Sequence, residues 1–77
     1  MPLSPRETEI LLDTLCQGLG FCLPLVDRAR IRDSPPSNAK SFADEVFRAE
    51  GLDPVTADSD LYREVLAEVK RAFAGTH

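Results

Sequence analysis

Apolar residues in this chain return in steps of three and four, and nowhere do they alternate with polar ones. That pattern constrains the fold more than any other feature, because a helix repeats its faces about every 3.6 residues and a strand about every two. In "LSPRETEILLDTLCQGLG" (3–20), Ile10, Leu11, Leu12, Leu15, Cys16 and Leu19 keep helical spacing, while Arg6, Glu9, Asp13 and Gln17 stay polar. Ser4 stands where an N-cap belongs, Pro5 suits the first helical position, and Glu7 completes a capping box. Gly18 or Gly20 supplies the left-handed residue that ends the helix. A second apolar stripe, Ala39, Phe42, Ala43, Val46 and Phe47, follows a Ser37 cap and stops at Gly51. A third, Leu61, Val65, Leu66, Val69 and Phe73, follows Asp58 or Ser59 and closes at Gly75. The spacing predicts an all-α domain, a small three-helix bundle with helices over about 5–18, 38–50 and 59–74. The second and third helices, joined by a short turn, are expected to be antiparallel neighbours.

Between the first two helices runs a long, apolar, proline-containing connector, 19–37. Pro24 rules out a central strand, and the double proline at 35–36 ends anything regular. "PLVDRARI" admits one helical turn at most in this reading. The run "GLGFCLPLV" (18–26) is expected to lie across the helices, with Phe21, Leu23, Leu25 and Val26 completing the core. The rival reading leaves part of it exposed as a contact surface, since contiguous exposed apolar residues mark interaction sites.

Seventy-seven residues make one domain, 1–77, with a thin core. Nine basic against thirteen acidic residues give a formal net charge of −4. Nucleic-acid affinity comes mostly from neutralised phosphates, so this balance argues against DNA or RNA as the main partner. No apolar run approaches the length of a membrane span, and the first residues, Pro2, Ser4, Arg6 and Glu7, lack the pattern of a secretory signal. The expectation is a cytoplasmic protein with reduced thiols and no membrane partner.

Residues for chemistry are sparse. Cys16 and Cys22 are the only thiols, and His77, the last residue, is the only histidine, which falls short of a structural zinc site. Cys16 is expected in the core as a free thiol, and Cys22 against the connector. Three aspartates in "DPVTADSD" (53–60) lack the glycine of a calcium loop and read as a capped turn. No histidine, serine or cysteine has the partners that acid–base or nucleophilic catalysis requires. The expectation is a protein without catalytic activity, cofactor or metal. One basic cluster stands out: Arg28, Arg30 and Arg32 in "DRARIRD". In an extended segment their alternate spacing puts all three on one side, able to grip a phosphate or an acidic partner; the ordinary reading is a solvated stretch paired with nearby acids.

The opening of the chain resembles that of LuxR-type helix-turn-helix domains at Ser4, Pro5, Arg6, Glu7 and Gly18. The resemblance covers about the first quarter of the chain and implies a regulatory DNA-binding role. Beyond it the two patterns part: "FCLPLVDR" stands where that family has a polar turn and a scaffold helix, the later helices are acidic, and Phe47 is bulky ahead of Gly51. The leading expectation is therefore a small helical interaction module that docks a protein partner, or a second copy of itself, through Phe21, Leu23, Leu25, Val26, Arg28, Arg30 and Arg32. A DNA-binding regulator and a small-ligand or enzyme-accessory protein are the alternatives.

Overall fold

The computed structural model describes residues 3–75; Pro2 and His77, both weighed above, lie outside them. Among the described residues the fold is all-helical, with four helices rather than three: α1 (Pro5–Leu19), α2 (Leu25–Asp33), α3 (Ala39–Ala49) and α4 (Ser59–Ala74). The additional helix, α2, occupies the middle of the expected connector. Five of its nine residues are charged and only Ile31 is buried, so it carries no apolar stripe by which to be recognised.

α1 starts as its capping box dictates. The Ser4 side chain accepts from the Glu7 amide at 3.2 Å, and the Glu7 carboxylate accepts from the Ser4 amide at 3.0 Å. That second bond holds the Glu7 carboxyl below the usual carboxylate range. Thr8 is fully buried and donates its hydroxyl to the Ser4 carbonyl at 2.8 Å, so that hydroxyl is not stranded. α3 is capped by Asn38, one residue later than expected, and α4 by Asp58, whose carboxylate accepts from the amides of Asp60 and Leu61. At the end of α3, Gly51 at φ 78° lets Leu52 donate to Phe47 and Gly51 to Arg48, the paired bonds of a left-handed helix stop.

α3 packs on α4, α4 on α1, and α1 on α2. The shared interior holds Leu11, Leu12 and Leu15 of α1, Ile31 of α2, Phe42, Ala43, Val46 and Phe47 of α3, and Val65 and Val69 of α4. Three aromatic rings run through it in a row: Phe21 to Phe47 at 5.0 Å, and Phe47 to Tyr62 at 5.2 Å. Such pairs add roughly 0.5–1.5 kcal/mol beyond their buried area.

Cys16 and Cys22, expected as separate thiols, are joined in a disulfide. The cause is the turn between them. Gly20 adopts φ 77°, and the chain folds back so that its amide reaches the Cys16 carbonyl and the Phe21 amide reaches that of Leu15. The reversal lays Cys22 against the last turn of α1, a juxtaposition that six residues of sequence separation do not reveal by themselves. No helix of the described residues is long and apolar enough to cross a membrane.

Candidate functional site

The run 18–26 divides at Pro24. Phe21 and Leu23, on the extended side, are 6% and 7% exposed and belong to the core. Leu25 and Val26, in the first turn of α2, are 83% and 80% exposed. They stand beyond the reach of the interior, because α2 touches it through Ile31, more than a turn further on. The expectation that all four residues cover the bundle thus holds for two of them, and the other two form an aliphatic step beside the exposed Pro24 and Cys22.

The three arginines do not line one side. In a helix Arg28 and Arg32 share a face and Arg30 points away from it, because successive residues turn about 100°. Arg28 donates to Asp13 of α1 at 2.6 Å, and Arg32 donates to Glu9 of α1 at 3.3 Å and to Asp33 at 3.2 Å. Arg30 reaches Glu45 of α3 at 3.0 Å and Asp27 at 3.4 Å. Hydrogen bonds from Arg30 to Glu45 and from Arg32 to Asp33 raise both guanidinium pKa values above the ordinary one. All three cations are engaged within the fold, tying α2 to α1 on one side and to α3 on the other.

A second site was not among the sequence candidates. Lys40, Asp44 and Arg48 recur every four residues along α3 and face Tyr62, Arg63 and Ser59 of α4 across a cleft of about 600 Å³. Pro54, Val55 and Ala57 of the connecting turn form its apolar wall, and Val55 is 90% exposed. Inside the cleft the Tyr62 hydroxyl donates to Asp44 Oδ1 at 2.5 Å, and Lys40 Nζ donates to Oδ2 at 3.1 Å. Burial of the ring and the bond to Asp44 push the phenol up to about 12. The same bond, with Lys40 behind it, holds Asp44 below the usual carboxylate range. The two arginines are different. Arg48 lies 3.6 Å from Glu45, beyond hydrogen-bonding distance, and Arg63 has no acidic partner among the described residues. The legible signal was a polar stripe at helical spacing on each of two helices expected to be antiparallel.

A smaller groove of about 290 Å³ lies between α1 and α4, lined by Glu7, Ile10 and Leu11 of α1 and Glu68, Arg71 and Ala72 of α4. Among the described residues no three Asp, Glu, His or Cys side chains gather where they would hold a metal ion. Two of the three aspartates of the 53–60 turn serve its backbone: Asp53 accepts from Val55, and Asp58 caps α4. No family model matches the chain, and no curated protein or solved structure is significantly similar to it.

Proposed function

We propose that this chain is a small, non-catalytic interaction module that docks a protein partner through the first turn of α2. The observation behind this reading is the adjacent pair Leu25 and Val26, both more than three-quarters exposed on a fold that encloses Phe21 and Leu23 just before them. Two neighbouring aliphatic side chains on a helix end, braced by a disulfide on one side and ion pairs on the other, are presented without loss of backbone freedom on binding. The occupant that suits them is an apolar groove with a basic rim. The chain carries a net charge of −4, which steers a cationic partner in and sets two copies of itself against each other.

The test is the substitution Leu25→Asp with Val26→Asp, compared with the unaltered chain. Crosslinking and affinity capture are expected to recover a basic-surfaced protein with the unaltered chain and to lose it with the double variant, and sedimentation is expected to find both monomeric. Self-association that the double variant abolishes would replace the partner by a second copy, and capture unchanged by the double variant would end the proposal.

A further inference from the structure

The cleft between α3 and α4 carries a separate inference, independent of the α2 surface. The geometry points to it as a binding site for a carboxylate carried on an apolar body, whether a free aliphatic acid or the carboxyl terminus of a peptide ending in an aliphatic residue. Three cations and one carboxylate line the cleft, a positive surface on a chain whose net charge is −4. The one carboxylate, Asp44, is already neutralised by Lys40 and hydrogen-bonded by Tyr62. Arg63 on α4 has no carboxylate partner among the described residues and Arg48 on α3 makes only a 3.6 Å ion pair with Glu45, so both keep guanidinium N–H groups free to donate, unlike Arg28, Arg30, Arg32 and Arg71, which all donate to carboxylates. A guanidinium fork matches a carboxylate in plane and spacing. Beside the two forks stand Pro54, Val55 and Ala57, and Val55 is the most exposed large hydrophobic residue among those described. An apolar body laid there removes the surface that is otherwise most open to water. The volume falls within the usual range for small-ligand sites.

Phosphate fits less well. A dianion wants additional donors, and the amides at the start of α4 are already taken by the Asp58 carboxylate, whose own charge opposes a second anion there.

The experiment is an amide-resolved NMR titration of the full chain at low salt with hexanoate, with hexanamide, and with a Gly-Gly-Leu peptide in free-acid and amidated forms. Saturable shifts are expected at Arg48, Val55 and Arg63 with the two acids and not with the two amides, and the acid that saturates at lower concentration identifies the source. Arg63→Gln, which breaks no contact of the fold, is expected to weaken binding about tenfold, and Arg48→Gln added to it to abolish binding. Equal response to acid and amide overturns the assignment, as does unchanged binding by the double variant or a shift confined to the Ile10–Ala72 groove. The absence of saturation with either acid overturns it as well.

Discussion

Helices α2 and α3 have similar lengths, nine and eleven residues, and opposite means of attachment. α3 buries Phe42, Ala43, Val46 and Phe47, whereas α2 buries Ile31 alone and is otherwise fastened by Arg28–Asp13, Arg32–Glu9 and Arg30–Glu45. The difference is one of energy as well as appearance. A buried large side chain contributes roughly 1.5–3 kcal/mol, and an exposed ion pair about 0–1 kcal/mol. α3 is therefore part of what makes the bundle fold, and α2 is a helix that the finished bundle holds in place. A chain this small, with a core of this size, has a few kcal/mol in total to distribute.

The most severe challenge to that contrast is Phe47→Ala. It removes the middle ring of the Phe21–Phe47–Tyr62 row, and a loss of about 3–5 kcal/mol is expected. That is comparable to the whole stability of the domain, so a thermal melt followed by circular dichroism should find little cooperative transition left. Ile31→Ala comes next, at roughly 2–5 kcal/mol for the site by volume, but it acts locally. Amide hydrogen exchange is expected to lose protection across α2 while α1, α3 and α4 keep theirs; a uniform loss across all four helices would erase the distinction drawn here.

A pH series sharpens the contrast further. The Tyr62 phenol is raised from 10.0 to about 12, so the stability it contributes at the α3–α4 contact is fully present below pH 10 and disappears as pH rises through about 12. Urea unfolding midpoints should fall over that window, and Tyr62→Phe should remove the fall. Arg28→Gln, the smallest change, is expected to weaken α2 by about 1 kcal/mol or less, with the deficit shrinking as salt is added. A larger effect, indifferent to salt, would mean that the pair does more than an exposed ion pair can.

The same contrast separates what was legible in the chain from what was not. α1, α3 and α4 were readable because burial imposes a stripe on sequence: Leu11, Leu12 and Leu15 in one, Phe42, Val46 and Phe47 in the next, Val65 and Val69 in the last. The cap at Ser4 and the left-handed Gly51 were readable for an equally local reason, since each acts within one turn of itself, while Gly20 and Asp58 were each one of two candidates. α2 was hidden because charges specify no face until their partners are in place, and Glu9, Asp13 and Glu45 become partners only once the chain has folded. The disulfide was hidden for the same reason, because it depends on which of two glycines turns left-handed. The cleft was legible in part: Lys40, Asp44 and Arg48 keep helical spacing in the sequence, but that Arg63 is left without a carboxylate among the described residues and Arg48 with only a 3.6 Å ion pair to Glu45 is a property of the assembled surface.

The sulfur bridge between residues 16 and 22 also sets a limit on how α2 can come loose. It pins the chain to the end of α1 with only two residues between Cys22 and Leu25, so Leu23 and Pro24 are all the slack that remains. A detached α2 is therefore tethered close to α1 at its first turn, while Arg32, seven residues on and so roughly 10 Å along the helix, swings farthest from Glu9. Any opening of α2 then pivots at Leu25 and Val26, the residues of the helix nearest the anchor.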